Sequence, residues 1–288
     1  MEKAYKYLIA GLAIGLVLAV VGTFALSPSL MGSQDNCDEC HEGHGSVVAP
    51  DVNVNGTILL TGDTPQDEMI PIADIFKLKQ KDVVTLKLQN DEGIPSRGVP
   101  VFDFLKAYGV NDFEQIILYA DDFEVTVNKS EMTEDTVFVP HEYSIRILSS
   151  NMPVSVWLKN IKTIVVVGKG GDSISVNGKE ITFGEMLNDG IDTMVTSRRT
   201  NGYIYEDQNY QFEAGYVVTG IGLKDLLFKE GYKDFSKVTI KGSSEKILLR
   251  YEVLDGSYFL TRDQGKIKLA TADKNRPLWQ SVESITVE

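Results

Sequence analysis

Laid against itself at an offset of 122 residues, the chain repeats. Gly98 to Phe113, GVPVFDFLKAYGVNDF, falls on Gly220 to Phe235, GIGLKDLLFKEGYKDF, with six of sixteen positions identical. The same offset brings Val54-Asn55-Gly56 onto Val176-Asn177-Gly178 and Ile145-Arg146-Ile147 onto Ile267-Lys268-Leu269. An offset of 121 places Ile164-Val165-Val166 on Ile285-Thr286-Val287. One register held over four separated stretches predicts two copies of one domain, residues 52–168 and 174–288, joined by a Gly-rich linker at 169–173. The linker sequence Lys169-Gly170-Gly171-Asp172 lacks the glycine spacing and the Lys-Ser/Thr of a phosphate loop.

Within each copy the clearest helical pattern is the repeated segment. Val101, Phe104, Leu105 and Tyr108 recur at i, i+3, i+4 and i+7, and Gly109 stands where a C-terminal cap is expected. Its twin uses Leu223, Leu226, Leu227 and Gly231. Short β-branched runs predict strands at Gln115–Ala120, Phe123–Val127, Tyr143–Leu148 and Ile161–Val167 in the first copy. The second offers Val238–Lys241, Ile247–Val253, Ile267–Ala270 and Ile285–Val287. A few short helices amid mostly β structure is an α+β arrangement.

Ahead of the repeat, Leu8 to Leu26 is a run of 19 residues without a charge, and an apolar helix needs roughly 20 to cross a bilayer. Lys3 and Lys6 precede it, whereas Asp35, Asp38, Glu39 and Glu42 follow. The basic excess leaves residues 1–7 in the cytoplasm, makes 8–26 a transmembrane helix, and exports the 27–51 stalk and both copies. The rival is a cleaved secretory signal with a small-x-small site at Thr23-Phe24-Ala25, but the run exceeds the usual signal core. Both readings place the body outside the cytoplasm. Without Glu2, Lys3 and Lys6, 26 basic residues face 40 acidic ones, a net charge of −14. Such a surface repels nucleic acid and anionic headgroups.

The order Gly-Val-Pro, a Leu-bearing helix, a Gly, a strand pair and then Pro140-His141-Glu142-Tyr143-Ser144-Ile145-Arg146-Ile147 resembles the molybdopterin-binding domain of sulfite-oxidase-like oxidoreductases. The resemblance covers most of both copies on short, degenerate motifs. It implies two tandem, mostly-β domains of that type, and gives His141 and Arg146 the spacing of a His and an Arg that help hold the pterin. The alternative for these two is a surface His and a strand-borne Arg. The family's molybdenum-binding cysteine would fall at about Thr85 to Arg97, but no cysteine lies there, nor in the second copy from Met194 onward. The Gln89, Asn90, Ser197 and Arg198 found in those stretches cannot replace a soft thiolate. The second copy also has Asp263 in place of His141 and Lys268 in place of Arg146. The resemblance therefore implies fold relatives without molybdenum catalysis, and molybdopterin is not expected.

The only two cysteines stand in Asp35-Asn36-Cys37-Asp38-Glu39-Cys40-His41-Glu42-Gly43-His44. Cys-x-x-Cys-His is the attachment signature of haem c: the thiols take the two vinyl groups and the adjacent His binds the iron from below. Attachment takes place outside the cytoplasm, where the topology puts the motif. Two other occupants fit the same residues. Cys37, Cys40, His41 and His44 are a ligand set that zinc or another transition metal accepts, and exported thiols also oxidise to a disulfide. For haem, His44, His141 or Met69 is the candidate additional ligand. The leading expectation is an anchored electron carrier with a membrane or extracytoplasmic redox partner. The alternative is a cell-surface interaction module whose stalk holds a metal or a disulfide. The pairs Asp121-Asp122 and Glu134-Asp135 could hold a hard cation, although solvated turn carboxylates explain them as well. No nucleophile elbow, zinc-protease helix or dinucleotide fingerprint appears, so no catalytic residue is assigned.

Overall fold

The computed structural model describes residues 56–87, 90–121, 123–188, 190–199, 212–273 and 278–288. The apolar run and the cysteine motif lie outside the described residues, among which no helix is long and apolar enough to cross a membrane. The first half runs β1 (Thr57–Gly62), β2 (Glu68–Pro71), α1 (Ile72–Ile75), β3 (Lys81–Lys87), β4 (Asn90–Pro100), α2 (Val101–Ala107), β5 (Gln115–Tyr119), β6 (Glu124–Asn128), β7 (Val137–His141), β8 (Ser144–Leu148) and β9 (Thr163–Val167). The second half follows the same order: β10 (Ser173–Val176), β11 (Lys179–Thr182), α3 (Phe183–Met186), β12 (Asp192–Arg199), β13 (Phe212–Gly222), α4 (Leu223–Lys229), β14 (Lys237–Gly242), β15 (Glu245–Leu249), α5 (Arg250–Leu254), β16 (Tyr258–Asp263), β17 (Lys266–Thr271) and β18 (Trp279–Val287). The architecture is mostly β with short helices, as the strand and helix patterns predict.

Strand pairing repeats as well. The first half has sheets β2-β1-β9-β5-β6 and β3-β4-β7-β8. The second has the matching paths β11-β10-β18-β14-β15 and β12-β13-β16-β17, fused by a β17–β18 pair into nine strands. In each half the helix of the repeated segment drives one apolar face into the core. Val101, Phe104 and Leu105 are buried in α2 and Leu223, Leu226 and Leu227 in α4, and Gly109 and Gly231 follow at φ +80 and +88. Phe104 meets Phe138 edge-on at 5.4 Å, among Ile58, Leu60, Ile116, Leu118, Ile147 and Ile164.

Three sequence expectations change. Ile247–Val253 is not one strand: β15 stops at Leu249 and the chain turns into α5, where the Glu252 carboxylate accepts the Leu249 amide. The counterpart of Val176 is Leu60 rather than Val54, which with Asn55 lies outside the described residues. Parallel pairing sets Leu60 beside Ile164 and Val176 beside Ile285, so Val176 matches Leu60, and Asn177-Gly178 is a tight turn at φ +47 and +87. Seven residues separate the paired Leu60 and Glu68 but two separate Val176 and Lys179, so the first half carries five extra residues here. Finally, the Gly-rich segment is no free tether, since Asp172 and Gly171 sit in the joint between the halves.

That joint places residues 49–288 in one compact unit. Ile117, Tyr119, Val165 and Val167, on the outer face of the first half's five-stranded sheet, are buried in the second half's core with Phe183, Met186 and Leu187. Each such side chain contributes roughly 1.5–3 kcal/mol of gross burial. α3 lies so close that a Cβ on Gly184 would stand 2.2 Å from the Val166 carbonyl oxygen. The Tyr119 hydroxyl donates to the Leu187 carbonyl at 2.7 Å. The Asp63 carboxylate accepts from the Gly168 and Gly184 amides, both at 2.9 Å, and from the Thr182 hydroxyl at 2.7 Å.

Arg262, at the end of β16 with its side chain only 3% exposed, crosses into the long β1–β2 loop. Its Nε donates to Asp172 at 2.6 Å, Nη1 to the Gly62 carbonyl at 3.0 Å, Thr64 Oγ1 at 3.1 Å and Asp67 at 3.4 Å, and Nη2 to the Thr64 and Pro65 carbonyls at 2.6 and 3.2 Å. All five N–H donors of the guanidinium have acceptors. Arg262→Ala is expected to lower the unfolding free energy by about 3–5 kcal/mol, because it strands buried acceptors and two carboxylates. Arg262→Lys recovers little of this, since three donors on a point cannot span six acceptors. Urea denaturation of the two variants checks both statements.

Candidate functional site

The β7–β8 hairpin carries the residues singled out by the family resemblance. Its register opposes Val139 to Arg146 and His141 to Ser144, so strand alternation puts all four on one face. His141 Nδ1 lies 3.1 Å from Asn160 Oδ1. Arg146 lies over the Trp157 ring at 5.6 Å from its centroid, beside a small apolar cluster of Val83, Val137, Val139 and Leu148. Arg146 Nε and Trp157 Nε1 are both buried and have no hydrogen-bond partner among the described residues. Burial pulls the Arg146 guanidinium below its usual pKa. The hairpin and the turn after it thus hold a half-buried cation and a ring N–H, each with a donor unmatched among the described residues. Trp157 gave no signal in the sequence; only the turn after β8 brings it under Arg146.

The corresponding positions of the second half are spent on structure. The Lys268 ammonium donates to Ser281 Oγ at 2.8 Å, and Asp263 accepts from Trp279 Nε1 at 3.4 Å. Asn90 starts β4 and Ser197 and Arg198 lie on β12, in stretches whose side chains, like Gln89, are outside the described residues. Cys37, Cys40, His41 and His44 are outside them too. With no cysteine in residues 49–288, the body has no thiolate to offer a molybdenum centre, and the residues present do not fit one.

Met69 is 60% exposed on the edge strand β2. It lines two adjoining cavities of about 410 and 620 Å³, which share Leu59 and Thr219. Glu142, Tyr143 and Asn160 from the first half and Asp263, Gln264 and Gly265 from the second form the walls. The acidic pairs are engaged with lysines: Asp121 with Lys162, and Asp135 and Glu134 with Lys81 at 2.9 and 3.8 Å. Asp122 is outside the described residues, among which no three His, Cys, Asp or Glu side chains converge to hold a metal ion.

The joint beside this groove holds two acids with shifted titration. Burial pushes the Asp63 carboxyl above the usual 3.8, against the lowering effect of its three donors. Burial likewise raises Asp67, opposed by the Thr61 hydroxyl and the Arg262 charge. A carboxyl raised in the folded state binds its proton at a pH where the unfolded chain has released it, so acidification through the raised values favours folding until about 3.8. Above those values this contribution is gone. The urea midpoint should rise as pH falls through the raised values toward about 3.8, and the rise should be smaller in Asp67→Asn, which keeps an acceptor for Thr61.

No protein-family profile matches the chain, and no curated protein matches it. Among solved structures the chain is similar to the sulfane dehydrogenase SoxCD from Paracoccus pantotrophus, at 10% identity over 82% of this chain and 80% of that chain, with a TM-score of 0.31.

Proposed function

We propose that the protein is an exported, membrane-anchored single-electron carrier. Its redox group is haem c on Cys37, Cys40 and His41, and its body is a pair of sulfite-oxidase-like domains without molybdenum chemistry. One observation carries the reading: a complete Cys-x-x-Cys-His motif begins ten residues beyond a charge-free run of 19. Haem attachment needs export, and the charge asymmetry around that run directs export of whatever follows it. Ten residues reach no more than roughly 35 Å even when extended, so the motif works close to the outer membrane face, within reach of a membrane redox partner.

The residues at hand divide the work. The two thiols would hold the haem covalently and the His41 imidazole would bind its iron; the haem would supply reversible one-electron chemistry. The body contributes no thiolate, so substrate oxidation at molybdenum is not part of this reading. His141 and Arg146 are the remnant of a pterin-binding face: Arg146 keeps a buried Nε without a partner among the described residues, while His141 is held by Asn160.

Protein made in a host that attaches haem c should give a pyridine haemochrome equivalent to about one covalent haem per chain. The haem should be lost in Cys37→Ala and Cys40→Ala. Absence of covalent haem sinks the proposal; if elemental analysis then finds one zinc per chain, or thiol titration finds Cys37 and Cys40 oxidised without iron, the stalk is a structural metal or disulfide site and the protein an interaction module.

A further inference from the structure

The groove beside the joint has the form of a binding site that the haem reading leaves unused. Its two cavities share Leu59 and Thr219, and each takes the tip of one hairpin: Glu142-Tyr143 of β7–β8 lines the cavity of about 620 Å³ and Gln264-Gly265 of β16–β17 the one of about 410 Å³. Cavities of this size admit small organic molecules. Leu59 and Met69 are cross-strand partners on the sheet face that carries Val165 and Ile117 into the joint. Beyond the edge of the joint that face is uncovered, so Met69 is 60% exposed, and Tyr143 beside it is 75% exposed. Apolar side chains left exposed together in a concavity mark a binding surface.

The second half serves as an internal control, since equivalent positions need the same residues only where the fold demands them. The matched registers set Leu59 against Ser175, Met69 against Glu180, and Glu142-Tyr143 against Gln264-Gly265. The fold therefore requires none of the three apolar residues. Nor does the turn require a charge: Glu142 and Gln264 hold the same left-handed place at φ 49 and 50.

Charge selects the ligand. Among the described residues the carboxylates of Asp67, Asp121, Glu142 and Asp263 line the groove, against the cations of Lys162 and Arg262. Both cations are engaged, Lys162 with Asp121 and Arg262 through all its N–H donors within the joint. Glu142 has no ion-pair partner among the described residues. An entering anion would meet an excess of like charge, whereas a cation is drawn by a field that the groove walls focus. Tyr143 adds the face of an aromatic ring and Met69 a polarisable thioether, surfaces on which organic cations settle.

We propose that this groove binds a small organic cation, an ammonium group carried on an apolar body, with the charge at Tyr143 and Glu142 and the body along Leu59 and Met69. The site uses none of Cys37, Cys40 and His41, so it stands or falls independently of the haem proposal.

Benzyltrimethylammonium is a probe of that shape. Titrated calorimetrically into the full chain in a nonionic detergent, it should bind saturably at one site, and benzoate, the same ring with the opposite charge, should not. Glu142→Gln/Tyr143→Gly gives the first hairpin the turn sequence of the second, which this fold already accepts, and should weaken binding about tenfold or more. Tyr143→Phe, which keeps a ring, should retain most of the affinity. Added salt should weaken the wild type more than Glu142→Gln. Tyr251→Ala, at an exposed residue outside the groove, should leave binding unchanged. Circular dichroism confirms that each variant is folded. The proposal is overturned by an absence of saturable binding, by benzoate binding as well as the cation, or by binding indifferent to the double variant.

Discussion

The arrangement of this protein depends on one buried guanidinium. A cation taken out of water is tolerated only if its donors are met, and Arg262 meets its five N–H groups with six acceptors, all from the β1–β2 loop of the other half or the segment between the halves. Three of those acceptors are main-chain carbonyls, which no side-chain substitution removes. They exist because the first half's loop is five residues longer than its twin. Opposite, Asp63 in the same loop takes the amides of Gly168 and Gly184. A short insertion in one copy thus supplies Asp63 and most of the acceptors for the other copy's Arg262, and joins two repeats that could otherwise be beads on a string.

The outer faces of the two sheets differ as well. The outer face of the first sheet presents Ile117, Tyr119, Val165 and Val167, and the second half covers it. The matching positions of the second sheet are Thr239, Lys241, Thr286 and Glu288. A further copy would have to dock on hydroxyls and charges, of which Lys237 and Glu288 already pair at 3.1 Å.

Much of the fold was legible in the chain because local and global signals agree there. The helix at Val101 and its twin at Leu223 combine an apolar stripe with a glycine cap, and both form with the expected face inward. The strands with alternating β-branched residues also form. Legibility failed where a single side-chain contact, near or far in the chain, decides the outcome. Leu249-Arg250-Tyr251 reads as strand until Glu252 caps the Leu249 amide. Asp63 reads as an ordinary turn residue, and Arg262 as a strand-end cation, because their partners lie 121 and 200 residues away in the chain. Trp157 was missed although Arg146 is near in the chain, because the irregular turn that brings them together carries no periodic pattern. The repeat signal itself misled at Val54-Asn55-Gly56, since a three-residue match cannot reveal a length change between it and the next anchor.

The joint also accounts for how the two hairpins came to differ. A hairpin that inserts Arg262 into a neighbour cannot keep its end free for a ligand, and the second half's end is committed accordingly: Asp263 binds Trp279 and Lys268 binds Ser281. The first half's hairpin carries Pro140 where the second has Arg262, makes no such crossing, and retains a buried Arg146 donor without a partner among the described residues. One copy carries the fastening, and the other leaves its donor unmatched among the described residues. Since a buried unpaired donor costs about 1–3 kcal/mol, that cost persists most simply if the face is used. Of the two copies, it is therefore the first that leaves polar groups unmatched among the described residues, at Arg146 and Trp157, whereas the second half's equivalent positions are spent.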